Sequence, residues 1–216
     1  MTQVKICGIK TIKDAKVAID AGARYIGLNF EEKSPRYLTV QDAAHLSAFI
    51  VSEGAIPVGV FTHHDAEKII SIAKACSLNT VQLHGENSRL ANKNLPSDLK
   101  RIYIVEFDEL GNINNIDQES FKKLDKERDY LLFDSTTPGT GQEAKLNKKN
   151  MLSDFRYFIA GGLNIDNIQA KIHEYQPYGV DVASGVESIR GIKSQTLIKQ
   201  FTYLAQALGE CYVANN

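Results

Sequence analysis

Short, strongly apolar runs alternate with amphipathic segments along almost the whole chain. Several of these runs are nearly continuous in hydrophobic residues, which is typical of strands covered on both faces of a parallel sheet. The segments between the runs have helical patterns. The pattern predicts eight strands, at Val4–Ile9, Tyr25–Phe30, Pro57–Phe61, Thr80–Leu83, Arg101–Phe107, Tyr130–Phe133, Tyr157–Ala160 and Gly179–Val182.

The starts of several helices are also visible in the sequence. A hydroxyl residue followed three positions later by an acid is typical of a helix N-terminus. Three such pairs are present: Thr11 with Asp14, Thr39 with Asp42, and Thr62 with Asp65. Asn164 and Ser194 are further N-cap candidates. The connections Glu86–Lys100 and Asp108–Asp129 do not predict a clear helix.

Eight strands alternating with helices in 216 residues leave few possible architectures. A doubly wound open sheet usually has about five or six strands and a nucleotide-binding fingerprint. No G-x-G-x-x-G motif follows the first predicted strand. We therefore expect an α/β fold, a single-domain (βα)₈ TIM barrel. The domain should occupy residues 1–216, with the barrel proper at about 3–208 and a short C-terminal tail.

Composition and charge exclude several classes of protein. The formal net charge is −1 and the sequence pI is about 6.5, so no basic patch for nucleic acid is implied. The apolar runs are far shorter than the roughly 20 residues that a membrane span requires, and the first ten residues do not resemble a signal peptide. The 3 cysteines lack metal-ligand spacing. We expect a cytoplasmic protein without a disulfide framework, a zinc site, or a nucleic-acid or membrane partner.

Polar and glycine residues follow the predicted strands at the end where such barrels build their active sites. The last three strands are followed by Gly139–Gly141, Gly161–Gly162 and Ala183–Gly185. Glycines let backbone N–H groups approach an anion closely. Any one of these loops could simply be a tight turn, but three together predict a barrel of the phosphate-binding type.

Two residues at strand ends are candidates for acid–base chemistry. Cys7 ends the first strand, and Lys5 lies on the same face because side chains alternate along a strand. A cation there would lower the thiol pKa from about 8.5, although Lys5 could instead form a salt bridge inside the barrel. Asp134 ends the apolar run of the sixth strand, where its pKa can be raised. The alternatives are a buried structural cysteine and a turn or capping aspartate.

Six motifs make the pattern specific. They are Lys5–Ile9 (KICGI), Ser34–Tyr37 (SPRY), Val81–Gly85 (VQLHG), Gly139–Gly141 (GTG), Ala160–Asn164 (AGGLN) and Gly179–Glu187 (GVDVASGVE). Together, and in this order, they closely resemble the phosphoribosylanthranilate isomerase family. The resemblance runs from residue 4 to about residue 205.

The resemblance implies a role for each matching position. The family's catalytic cysteine falls on Cys7, as general base, and its catalytic aspartate on Asp134, as general acid. The arginine that binds the anthranilate carboxylate falls on Arg36, and Asp181 is expected near the sugar hydroxyls. His84 would line the pocket. The phosphate loops match Gly141, Gly161, Gly162, Ser184 and Gly185.

The implied reaction is an Amadori rearrangement. Asp134 would protonate the ring oxygen of the sugar, and Cys7 would remove the proton from C2′. Because the anthranilate nitrogen supplies the electron push, no cofactor or metal is implied. The implied partner is a small-molecule phosphosugar, and the chain would be a monomer or a weak homodimer. Pro138 and Ala183 depart from the family pattern in two of the phosphate loops.

Other functions stay open at this point. A metal-dependent sugar-phosphate epimerase would need histidine and acidic ligands on several strand ends, whereas only the fourth strand ends in a histidine, His84. A Schiff-base aldolase would need an inward lysine at a strand end. The related isomerase of the histidine pathway uses an aspartate where this chain has Cys7. A non-catalytic phosphate-binding barrel is the alternative from a different class.

Overall fold

The computed structural model describes residues 1–108, 111–113, 116–135 and 154–211. Its centre is a closed barrel of eight parallel strands in sequence order. All eight predicted strands are present, with ends that differ by at most two residues from the prediction. The strands are β1 (Gln3–Cys7), β2 (Tyr25–Asn29), β3 (Ile56–Phe61), β4 (Thr80–Leu83), β5 (Lys100–Phe107), β6 (Tyr130–Ser135), β7 (Tyr157–Ile159) and β8 (Gly179–Val182).

Helices follow most strands and pack outside the barrel. They are α1 (Ile12–Asp20), α2 (Val40–Ser52), α3 (Ala66–Ala75), α4 (Glu86–Ala91), α5 (Gln118–Phe121), α6 (Ile168–Tyr175) and α7 (Gln195–Cys211). A small hairpin of β9 (Glu187–Ile189) and β10 (Ile192–Lys193) lies between β8 and α7. In the described part of the chain, no helix combines the length and apolarity needed to cross a membrane.

Three of the predicted helix starts are confirmed. The side chain of Thr11 accepts a hydrogen bond from the backbone N–H of Asp14 at 3.0 Å. Thr39 accepts one in the same way from Asp42 at 3.1 Å. Ser194 directly precedes α7, and its Oγ accepts a hydrogen bond from a backbone N–H in the first turn at 3.3 Å. Each bond satisfies a donor that the helix itself cannot pair.

Two predicted helix starts are wrong by three residues. The cap of α3 is Asp65 rather than Thr62, and it accepts from the backbone N–H of Lys68 at 2.8 Å. The N-cap of α6 is Asn167, whereas Asn164 uses its side chain to form the turn that precedes the helix. In both cases two short polar residues three positions apart could serve as caps, and the tertiary structure selects the later one.

Alternate residues of the strands divide between two separate cores. The outer core fills the space between strands and helices. The inner core lies within the barrel, because the ring of Tyr25 on β2 contacts Phe158 on β7 across a centroid distance of 5.3 Å, and these strands are not neighbours. The inner core comprises Tyr25, Val58, Ile102, Ile104, Tyr130, Leu132 and Phe158.

Aromatic rings close the amino end of the barrel. Tyr25 and Tyr130 are the first residues of their strands, and their ring centroids lie 6.2 Å apart. Tyr178, just before β8, stacks on Tyr130 at 5.2 Å. The guanidinium of Arg156 lies over the Tyr130 ring at 4.7 Å. With this end filled, a ligand site is expected at the carboxyl ends of the strands.

Candidate active site

At the carboxyl ends of the strands, several polar side chains lie on the inner face of the barrel. Leu132 belongs to the inner core, so Asp134, two residues further along β6, points to the same side. Ile104 and Glu106 on β5 have the same relation, and Glu106 pairs in register with Asp134. Asp134 is half-buried.

Cys7 ends β1 at the same end of the barrel. The residue is only 7% exposed. It lies opposite Gly27 on β2, where an added Cβ atom would come within 2.9 Å of the Cys7 Sγ and 3.2 Å of the Lys5 Nζ. The thiol and the ammonium group of Lys5 therefore share the space that Gly27 leaves free. Lys5 lies on the face of β1 that the sequence predicted.

Lys5 is completely buried and forms an ion pair with Asp181 of β8. The Lys5 Nζ and the Asp181 Oδ1 are 2.8 Å apart. Burial by itself lowers the pKa of Lys5, but Asp181 and the nearby Cys7 raise that pKa above its ordinary value. Lys5 therefore stays positively charged beneath Cys7. Asp181, which was predicted to lie near the substrate, lies at the expected strand end. One oxygen of its carboxylate is engaged in the ion pair with Lys5.

The net effect on Cys7 differs from the expectation. Burial raises the pKa of the Cys7 thiol above its ordinary value, and the negative charge of Asp181 adds to the increase. Lys5 lowers the pKa of Cys7, as predicted, and so does Lys193. The expectation of a lowered thiol pKa is wrong because desolvation outweighs both cations. Cys7 is a neutral thiol near pH 7.

Arg36 approaches the end of β1 from the loop after β2. Its side chain passes directly over Gly8, so closely that an added Cβ atom there would overlap its aliphatic part. Its Nε and Nη2 donate to the two carboxylate oxygens of Glu187 at 2.6 and 2.8 Å. The Nζ of Lys193 donates to Glu187 Oε1 at 3.0 Å. We call Arg36, Glu187 and Lys193 the Arg36 cluster.

The two described loops with predicted phosphate contacts lie side by side. Gly161 and Gly162 follow β7 with φ angles of +86° and +68°, a backbone conformation that side-chain-bearing residues rarely adopt. Ser184 begins a short 3₁₀ turn after β8. Gly185 in this turn packs against the backbone carbonyl of Leu163, leaving no room for a Cβ atom. Gly141 lies outside the described residues.

His84 follows β4 at the same rim and is half-buried. Burial lowers the pKa of His84, while Glu106 raises it and Arg89 lowers it, with a net decrease. The imidazole is therefore neutral near pH 7. Arg89, buried on α4, lies 3.1 Å from Glu106 through its Nη1. Among the described residues, no group of three or more histidine, cysteine, aspartate or glutamate side chains could hold a metal ion.

Four polar residues of this rim had no predicted role: Arg89, Glu106, Glu187 and Lys193. Glu106 could have been found from the sequence, since it has the parity of the inner face and ends a predicted strand. Glu187 was part of a quoted motif, but its partner Arg36 is 151 positions away. No local pattern indicates the pairs of Arg89 and Lys193.

Comparison with known proteins shows what this chain is similar to. The family model described as N-(5'phosphoribosyl)anthranilate (PRA) isomerase matches residues 4–203. The N-(5'-phosphoribosyl)anthranilate isomerase of Streptococcus pneumoniae is 37% identical over 204 residues, covering 93% of this chain and 94% of that protein. The Thermotoga maritima enzyme of the same name is 34% identical over 213 residues, covering 96% and 100%.

A solved structure extends the likeness to the fold. It is a phosphoribosyl anthranilate isomerase in complex with reduced 1-(o-carboxyphenylamino)-1-deoxyribulose 5-phosphate. It superposes with a TM-score of 0.74 at 30% identity, covering 96% of this chain and 100% of that one. The matched family model, the similarity over nearly the full length and the shared barrel lead to one conclusion: this chain belongs to the N-(5'-phosphoribosyl)anthranilate isomerase family.

Proposed function

We propose that this isomerase converts N-(5'-phosphoribosyl)anthranilate into 1-(2-carboxyphenylamino)-1-deoxyribulose 5-phosphate, a step of tryptophan biosynthesis. Membership of the family supports the reaction. The single observation that carries the residue assignment is the position of Cys7 and Asp134. Both lie at the carboxyl ends of their strands, on the inner face of one closed barrel. A thiol and a carboxyl group on one rim can act on the same sugar.

In the proposed mechanism Asp134 is the general acid and Cys7 the general base. Asp134 gives its proton to the ring oxygen as the bond between that oxygen and C1′ breaks. The lone pair of the anthranilate nitrogen forms the C=N bond of the resulting Schiff base. Cys7 then takes the proton from C2′, and the electron pair returns to the nitrogen to give an enolamine. Tautomerisation of the enolamine yields the ketone.

The buried position of Cys7 constrains this scheme. Burial raises the pKa of Cys7, so the resting enzyme holds a proton on the thiol. The competent form needs a proton on Asp134 and a thiolate at Cys7. The positive charges of Lys5 and Lys193 stabilise this thiolate. We propose that these two cations make the minor, competent form accessible.

The remaining predicted residues bind the ends of the substrate in this proposal. Gly161, Gly162, Ser184 and Gly185, together with Gly141, would hold the phosphate through backbone N–H groups. Arg36 would take the anthranilate carboxylate, because a planar guanidinium pairs well with a carboxylate. Asp181 would contact the sugar hydroxyls while keeping its ion pair with Lys5, and the neutral His84 would line the pocket.

The decisive experiment follows the fluorescence loss of freshly made phosphoribosyl anthranilate after addition of the purified protein. We expect Cys7→Ala and Asp134→Asn each to lower kcat/KM by about 10²- to 10⁴-fold, because each removes one proton-transfer group. Cys76→Ala is the matched control, since Cys76 is a buried cysteine in the outer core. It should retain activity within about twofold.

Two results would contradict the proposal. A rate equal to the buffer control in the wild-type protein would remove the reaction, and binding without turnover would favour a non-catalytic barrel. Wild-type turnover in Cys7→Ala would remove the proposed base and leave the reaction in place. The single-domain organisation of residues 1–216, the cytoplasmic location, the absence of a cofactor and the monomeric or weakly dimeric state stay predictions.

A further inference from the structure

The Arg36 cluster has a geometry that goes beyond a simple ion pair. Glu187 is almost fully buried, with 3% of its side chain exposed, and it accepts hydrogen bonds from three donors. Two of the donors are Arg36 and Lys193, and the third is the backbone N–H of Gly191 at 3.0 Å. The carboxylate of Glu187 therefore joins the loop after β2 to the β9–β10 hairpin.

Glu187 occupies one edge of the Arg36 guanidinium. A guanidinium has five N–H groups arranged in a plane, and a carboxylate can pair with two that share an edge. Glu187 uses the edge formed by Nε and Nη2. In the described residues, Nη1 has no hydrogen-bond partner. Among these residues, the edge formed by Nη1 and the second N–H of Nη2 is therefore unpaired, and this edge has the geometry to receive another carboxylate.

The charges of the cluster favour an incoming anion. An arginine paired with a glutamate is neutral overall, and the glutamate would repel a second carboxylate. Lys193 supplies one more positive charge. Burial lowers the pKa of Lys193, but the Glu187 carboxylate opposes this decrease through an ion pair at 3.0 Å. The same ammonium group donates to the backbone carbonyl of Ala183 at 2.7 Å. Two cations and one anion leave the cluster with a net charge of +1. This charge lies in a mostly buried position, where screening by water is weak.

We propose that Glu187 is a positioning residue that holds Arg36 by one edge so that the other edge receives the substrate's aromatic carboxylate, with Lys193 compensating the Glu187 charge. The proposal rests on the function proposed above, and it concerns recognition rather than proton transfer. It makes Glu187 a determinant of specificity for substrates that carry a carboxyl group on the aromatic ring.

The test uses binding, which does not depend on turnover. Two ligands are compared by calorimetry: reduced 1-(2-carboxyphenylamino)-1-deoxyribulose 5-phosphate and its phenylamino counterpart, which lacks the carboxyl group. We expect Glu187→Gln to lower the affinity for the carboxylated ligand about tenfold and the affinity for the counterpart less than twofold. The reason is that an amide has one acceptor oxygen and cannot accept from both guanidinium N–H groups as a carboxylate does. Arg36→Ala should show the same selectivity, and the double variant should bind no more weakly than Arg36→Ala.

Further variants separate positioning from charge and from folding. Glu187→Ala removes a negative charge, so a purely electrostatic role predicts tighter binding of the carboxylated ligand, whereas positioning predicts weaker binding. Lys193→Met should lower the affinity for the carboxylated ligand only. This variant tests the cluster even if the Glu187 variants fail to fold. Glu119→Gln, at an exposed carboxylate paired with Lys122, is the control and should bind both ligands normally.

Several outcomes would overturn the inference. The first is that Glu187→Gln lowers the affinity for both ligands equally. The second is that the Glu187 variants bind the carboxylated ligand as tightly as the wild type or more tightly. The third is that the effects of Arg36→Ala and Glu187→Gln on affinity are additive. The failure of the proposed reaction would look different. In that case the wild-type protein would show no turnover of phosphoribosyl anthranilate, while the ligand selectivity of the variants could still be measured.

Discussion

The thiol of Cys7 is subject to two opposing influences within a few ångströms. Its burial at the end of β1 disfavours the thiolate, whereas the ammonium groups of Lys5 and Lys193 favour it. The sequence raised two possibilities for Lys5, an effect on the thiol and a salt bridge in the barrel. Both are realised, because Lys5 pairs with Asp181 while it lies next to Cys7. Only the balance between burial and charge was predicted wrongly.

A titration of Cys7 tests this balance. With ¹³C-labelled cysteine, the Cβ chemical shift of Cys7 should report a thiol-to-thiolate midpoint above the ordinary pKa of cysteine, about 8.5. Lys5→Met should move the midpoint higher still, because it removes a cation and leaves Asp181 without its partner. Cys7→Ser identifies the signal. A midpoint below about 8.5 in the wild type, or a downward shift in Lys5→Met, would show that the assigned balance is incorrect.

Within the elements, the start of β5 and the turns before it depend on one buried side chain. Arg101 is 2% exposed, and its guanidinium donates to the side chain of Asn92 and the backbone carbonyl of Leu95, each at 3.0 Å, and to the carbonyl of Leu99. Its backbone N–H donates to Asp129 at 3.0 Å. Arg101 thus organises the end of a connection for which the sequence does not predict a clear helix.

Arg101→Met should therefore lower the free energy of unfolding by about 3 kcal/mol, since three acceptors lose their donor in a buried site. Denaturation with urea measures this loss, and hydrogen exchange should increase mainly in residues 92–100. Arg24→Met is the control, because Arg24 is exposed and donates to a single carbonyl, that of Gly54. Equal destabilisation by the two substitutions would contradict the role assigned to Arg101.

Helix boundaries show how far local sequence is informative. Thr11 and Thr39 cap their helices as predicted, because each stands alone as a short polar residue before an amphipathic segment. Before α3, both Thr62 and Asp65 could cap, and Asp65 does so. The energy difference between two such caps is about 1 kcal/mol or less, so the packing of the helix on the barrel decides.

At the scale of the whole molecule, the barrel separates stability from chemistry. The rings of Tyr25, Tyr130, Phe158 and Tyr178 fill its amino end. The polar side chains lie at the opposite, carboxyl end. Because all eight strands are parallel, one end can be closed by aromatic packing while the other keeps the polar and charged side chains.

Phe158→Ala should lower the free energy of unfolding by about 3–5 kcal/mol, because Phe158 is completely buried and its loss leaves a cavity in the inner core. The folded variant should keep kcat/KM within a few-fold of the wild type, since the substituted ring lies at the amino end. Thermal denaturation and the fluorescence assay measure the two effects. A large loss of kcat/KM without a loss of stability would contradict the separation of the two ends.

The sequence by itself determined the number and order of the strands and which of their side chains share a face. Strand runs are readable because side chains alternate with a period of two and because both faces of each strand are buried. In a parallel barrel this is enough to bring Cys7 and Asp134 to one rim. The motifs around them were sufficient to identify the family.

Only the tertiary structure decided how charges at this rim are paired and solvated. Lys5 and Asp181 are 176 positions apart and meet because β8 closes against β1. Arg36 and Glu187 meet because the loop after β2 packs on the hairpin that follows β8. Desolvation and ion pairing depend on the groups that surround a residue in space. Residues adjacent in the sequence do not indicate which groups these are.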